Sequence, residues 1–127
     1  MKLTLKLEEL VIFVACGISL YFLQVQWWWY LLLLLGPDIS FIGYLGGNKV
    51  GAVIYNIFHH KGIAAALIVL SLFMKIENGE IILWEIILYT GIVLFGHSSM
   101  DRFFGYGLKT FEGFKYTHLG QMGNTKL

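Results

Sequence analysis

With 127 residues, 57% of them hydrophobic, 13% charged and one a proline, the chain is too apolar and too sparsely charged for an ordinary soluble domain. The length has room for about four helices of roughly 20 residues, enough to cross about 30 Å of hydrocarbon, and for no second domain. A net charge of +1 says little about partners, and a single cysteine, Cys16, excludes an intramolecular disulfide.

One transmembrane domain over residues 1–127 is therefore expected, with helices at about 7–23, 27–45, 50–74 and 81–104 and a tail at 105–127. Lys2 and Lys6 precede the first apolar run as they would in a secretory signal. Gln24-Val25-Gln26-Trp27 offers no small-residue cleavage site, however, so the run is read as a retained first helix.

The second run carries leucines at 31–35 and then Gly36-Pro37-Asp38-Ile39-Ser40. Pro37 has no backbone N–H, so the carbonyl of Leu33 loses its partner, the helix kinks, and space opens beside Asp38. In the third run Gly51, Tyr55, His59, Gly62 and Ala66 recur at spacings that line one helical face. Small residues there permit close helix contact, which points His59 into the bundle; Asn56 and His60 occupy the adjoining stripe. Gly47 and Gly51 form a Gly-x-x-x-Gly pair that reports packing. On the fourth run Thr90, Val93, His97 and Asp101 share a face, with imidazole and carboxylate one turn apart.

Beyond it, Gly105 and Gly107 end the helix, and Phe103, Phe104, Tyr106, Phe111, Phe114 and Tyr116 make an aromatic-rich interfacial segment. That segment is expected either to anchor on headgroups or to fold back and bring His118 towards His97 and Asp101. Gly105-Tyr106-Gly107 lacks the rest of a nucleotide-binding loop, and no nucleic-acid partner is expected.

The connectors at 24–26, 46–49 and 75–80 are short, so neighbouring helices run antiparallel. The expected fold is all-α, an up-down-up-down four-helix transmembrane bundle. With the N-terminus cytoplasmic, Lys2, Lys6, Lys49, Arg102, Lys109, Lys115 and Lys126 lie inside and only Lys75 outside, so both termini are placed on the cytoplasmic side of the cell's inner membrane. Trp27, Trp28, Trp29 and Tyr30 then anchor the outer interface.

Antiparallel second and third helices put Asp38 level with 56–59, about 13 to 15 Å from the inner surface, and the descending fourth helix brings His97 and Asp101 to the same half. An ionisable group in hydrocarbon costs at least about 2.5 kcal/mol, so such a group is a functional candidate. Each also has a structural reading: Asp38 bonding freed backbone, His59 hydrogen-bonded within the bundle, His97 and Asp101 making a helix hydrogen bond.

The residues then resemble a family of small bacterial integral membrane proteins, that of domain of unknown function 4260. The resemblance runs from the first helix to Gly120. It rests on Pro37-Asp38 with Ser40, Gly43-Tyr44, Gly51-Ala52, Tyr55-Asn56 with His59, His97 with Asp101-Arg102, Gly105 to Lys109, Phe114, and Thr117-His118-Leu119-Gly120. In that pattern His59 is the matched histidine, whereas His60-Lys61 is particular to this chain. The resemblance implies a four-helix membrane protein and brings no activity with it.

Three functions follow from the residues. In a metal-dependent hydrolase of a lipid or another amphiphile, His59, His97 and His118 with Asp101 or Asp38 would hold zinc or another divalent ion. Asp38 would be the general base, and Arg102 or Asn56 would steady an oxyanion. A proton-coupled transporter would titrate Asp38 and work as a homo-oligomer. An assembly protein of the lipid bilayer would use the polar groups only to satisfy one another. Metal chemistry is the leading expectation.

Overall fold

The computed structural model describes residues 2–77 and 81–123. Among them α-helices form at α1 (Lys2–Phe22), α2 (Trp28–Leu35), α3 (Asn48–His59), α4 (Lys61–Ile76) and α5 (Ile81–Phe104). A 3-10 segment, Gly36–Gly46, joins α2 to α3. A short antiparallel hairpin, β1 (Tyr116–Thr117) with β2 (Gly120–Gln121), lies in the tail. The architecture is all-α apart from that hairpin.

α5 is the axis. At 1.5 Å per residue it is about 36 Å long, and α4, α1 and α2 pack on it while α3 lies mainly against the 3-10 segment. Leu20 of α1, Trp29 and Leu33 of α2, and Leu88, Ile92 and Val93 of α5 form the apolar core. Glycine lets α5 approach so closely: a Cβ on Gly96 would lie 2.7 Å from Leu33 Cδ1 and 2.8 Å from Cys16 Cβ. Outward, Val11, Phe22, Leu35, Ile39, Leu45, Val69, Ile76 and Ile82 are exposed. Apolar surface on that scale suits lipid rather than water. Trp28–Gly46 and Ile81–Phe104 are long and apolar enough to cross a membrane, and α3 with α4 adds a third crossing if the bent pair counts as one span. These features point to membrane association.

The fourth expected helix lies where its apolar run places it, at Ile81–Phe104. The second does not merely kink at Pro37. It changes to 3-10 winding for 11 residues, although such runs seldom exceed about four. Gly47, at φ 103°, then turns the chain into α3. The third expected helix is two helices meeting at 44°. His60 leaves helical geometry (φ −88°, ψ 110°), and its Nδ1 accepts the Gly62 N–H at 3.1 Å, so the start of α4 regains a partner for one of its free donors. In consequence the expected continuous face ends at His59. Gly51, Tyr55 and His59 are buried, whereas Gly62 and Ala66 are exposed on α4. Of the third connector, residues 78–80 lie outside the described residues, as does Lys126.

α5 stops at Gly105, whose φ is 92°. Tyr106 N–H reaches the Asp101 carbonyl at 2.8 Å and Gly105 N–H the Arg102 carbonyl at 3.0 Å, a glycine-dependent cap that reverses the chain. The tail then returns along α3 and the 3-10 segment. Phe114 packs edge-on against Phe41 and Tyr44, with ring centres 5.1 and 5.4 Å away.

Candidate metal centre

Asp38 opens the 3-10 segment, His59 ends α3, and His97 and Asp101 stand one turn apart on α5. One ligand atom from each lies within 4.8 Å of all the others. His97 Nε2 is 3.2 Å from Asp38 Oδ1 and 3.6 Å from Asp101 Oδ1; His59 Nε2 is 3.7 Å from Asp38 Oδ1 and 3.3 Å from Asp101 Oδ2.

Backbone carbonyls orient both imidazoles. His97 Nδ1 is 2.9 Å from the Leu33 carbonyl, the one that Pro37 leaves without a helical donor. His59 Nδ1 is 2.9 Å from the Tyr55 carbonyl. A carbonyl only accepts, so each Nδ1 carries the proton and donates it. Each ring then turns its Nε2 inward, and that of His97 lies at hydrogen-bonding distance, 3.2 Å, from Asp38 Oδ1. Among the described residues, His59 Nε2 is buried with no hydrogen-bond partner.

With its proton on Nδ1, a neutral His59 would set an Nε2 lone pair against two carboxylates, and these repel unless something positive lies between them. A tetrahedral zinc site with ligand distances of about 2.05 Å has edges of about 3.3 Å, close to the four histidine–aspartate separations of 3.2 to 3.7 Å in a set whose ligand atoms all lie within 4.8 Å. The donor set, two imidazoles and two carboxylates, suits zinc or another borderline divalent ion. Supporting groups are also in place. Tyr55 Oη donates to Asp101 Oδ2 at 2.7 Å, and its ring stacks on His59 with centres 3.8 Å apart. Hydrogen bonds of this kind hold ligands in register for a metal.

Three other expected site residues are elsewhere. His118 is not delivered to His97 and Asp101, although the tail does fold back. Its Nδ1 accepts the Leu108 N–H at 2.8 Å, and it lines a cavity of about 280 Å³ with Lys2, Lys6, Glu9 and Arg102. Burial and the nearby Arg102 guanidinium hold its imidazole below the usual histidine range, against a backbone hydrogen bond with Leu108. Arg102 Nη1 faces Glu9 at 3.9 Å, in that same cavity. Asn56 clasps the tail: Nδ2 donates to the Lys109 carbonyl at 2.9 Å, and Oδ1 accepts the Lys109 N–H at 2.6 Å.

That clasp delivers Lys109, which sequence reasoning placed as an inner-side charge and in the family pattern but not in the site. Lys109 is buried, its ammonium 4.9 Å from the centre of the Tyr55 ring. Burial lowers its pKa, while the Asp101 and Asp38 carboxylates pull the other way. Tyr55 was legible as a residue one turn before His59 and as part of the family pattern. Its hydroxyl contact crosses to another helix, and no spacing within α3 announces it.

Two to three helical stretches apolar enough to cross a bilayer, folded with two buried histidines and two aspartates, define an α-helical protein with a candidate metal centre in its interior, and suggest membrane association. The chain belongs to the family described as Domain of unknown function (DUF4260), whose model matches residues 2–122. No curated protein and no solved structure matches it.

Proposed function

We propose that this protein is a membrane-embedded, metal-dependent hydrolase of an ester or amide in a lipid or other amphiphile. The observation that carries the reading is the inward convergence of two proton-fixed imidazoles on two carboxylates, with His59 Nε2 unpartnered. Catalytic zinc sites use three protein ligands and keep a fourth position for water. His59, His97 and Asp101 are the ligands in this reading.

Asp38, whose side chain is 34% exposed against 12% for Asp101 and 0% for His97, is the general base at the open side. A divalent ion held by His59, His97 and Asp101 would acidify a bound water. Asp38 takes the proton as the water oxygen bonds to the acyl carbon, and returns it to the alcohol or amine as the acyl bond breaks. A carboxylic acid and an alcohol or amine are the products. Tyr55 keeps Asp101 in place throughout.

The supporting frame is a four-crossing bundle in the cytoplasmic membrane with both termini inside, and the site in its inner half. The excess of lysine and arginine at that end favours this orientation, and the exposed apolar surface suits a bilayer or a second copy of the chain. Elemental analysis of protein purified in metal-free detergent tests the reading. About one zinc or similar ion per chain is expected, falling below about a tenth in His97→Ala and Asp101→Ala. Protein without stoichiometric metal, or variants that keep it, would sink the proposal.

A further inference from the structure

Long cationic side chains near a membrane surface ordinarily reach outward to water. Lys109 does the reverse and is 4% exposed. Among the described residues its ammonium meets soft partners: Met122 Sδ at 2.9 Å and the faces of the Phe114 and Tyr55 rings at 4.2 and 4.9 Å. A buried charge that closes no ion pair is expensive to retain. Its position is set from the backbone, because both hydrogen bonds of the Asn56 clasp fall on Lys109 itself. The Tyr55 ring beneath the ammonium stacks on His59, and the Tyr55 hydroxyl bonds Asp101.

Charge shows what such a cation changes. With both imidazoles neutral, two carboxylates and one ammonium leave one net negative charge in the interior. A divalent ion reverses this to one net positive charge; without Lys109 the loaded site would be neutral. The loaded centre thus has an appetite for one anion, and the partly exposed Asp38 marks the side from which one can enter.

We propose that Lys109 is the second cationic pole of the centre, and that metal and ammonium together bind an oxyanion: the carboxylate that ester or amide hydrolysis produces, and the oxyanion preceding it. This rests on the metal reading above. Lys109 thereby takes the part that sequence spacing offered to Arg102 and Asn56, and Asn56 becomes a positioning residue that acts through Lys109.

Full-length protein in detergent, loaded with Co2+ in place of zinc, reports both events through its visible absorption. Acetate is the carboxylate probe and inorganic phosphate the competing oxyanion. In wild type, Co2+ should give the intense bands of a low-coordinate site, and millimolar acetate should shift them. Lys109→Met should bind Co2+ at least as tightly, since a repelling charge has gone, yet need about ten-fold more acetate, a loss of about 1.4 kcal/mol. Lys109→Arg should restore most of the response. Asn56→Ala should weaken acetate with little effect on Co2+.

A response to phosphate and not acetate would support the anion site but assign it to phosphoryl groups. Equal acetate response in wild type and Lys109→Met would overturn the proposal, as would bands that neither anion moves. The last two tests need only folded protein, and the wild-type titration stands even if a variant fails to fold. Wild type without Co2+ bands would remove the metal centre itself, an outcome distinct from bands that ignore anions.

Discussion

The centre and the cavity at the N-terminal end of α1 are built from the same kinds of residue on opposite principles. In the cavity, opposites meet: Glu9 accepts Lys61 from α4 and faces Arg102 from α5. In the centre, two imidazole Nε2 atoms and two carboxylates converge, and the Lys109 ammonium reaches aromatic faces instead of closing an ion pair. The first arrangement pairs charges across three helices. In the metal reading the second takes a cation from outside, so composition alone does not separate a structural charge cluster from a site; the sign of the neighbours does.

Breaking the centre should have the largest effect. His97→Ala removes a ligand and strands the Leu33 carbonyl, so metal affinity should fall by more than about 100-fold and stability by about 1–3 kcal/mol, measured by metal competition and thermal unfolding. Tyr55→Phe keeps the ring stack and deletes the bond to Asp101; a loss of about 10- to 100-fold in metal affinity is expected. Pro37→Ala sharpens the contrast further. It returns an N–H to the Leu33 carbonyl, which then competes with His97 Nδ1, and affinity should drop by about ten-fold. An unchanged affinity would show that the carbonyl does not orient the ring.

The cavity should answer weakly. Glu9→Gln leaves metal content intact and costs about 1 kcal/mol or less in unfolding. The smallest effect is the pH response of His118. Its folded pKa lies below the unfolded value of about 6.5, so below that pH the unfolded chain takes up the proton first. Stability from this group is full above about pH 6.5 and declines as the pH falls towards the folded pKa. His118→Gln, which cannot titrate, should flatten that decline in pH-dependent melts; an unaltered slope would place its origin elsewhere.

How much of this was legible beforehand varies with the kind of signal. α5 could be read from 81 to 104 because a continuous apolar run ends at a glycine able to cap it. Asp38, His59, His97 and Asp101 could be grouped by depth, since a rise of 1.5 Å per residue converts position into height once neighbours are antiparallel. The orphaned Leu33 carbonyl followed from Pro37, but its new donor sits 64 residues away, beyond any local rule. The break at His60 has neither proline nor glycine at the breaking residue to mark it. It depends on a ring capping Gly62. The tail's return was foreseeable from Gly105, yet which side chain arrives depends on the pairing of Lys109 with Thr117 and on Asn56. A hairpin one residue out of step would present a different one.

The position of α5 along the chain also bears on biosynthesis. Half of the cluster, and the lysine that follows it, leave the ribosome after everything up to His60 has been made. A chain halted before α5 holds only Asp38 and His59, too few donors to keep an ion, and its Leu33 carbonyl still faces no imidazole. In the metal reading, ion capture is therefore deferred until α5 has been made, and products truncated before it are denied whatever reactivity the loaded centre has.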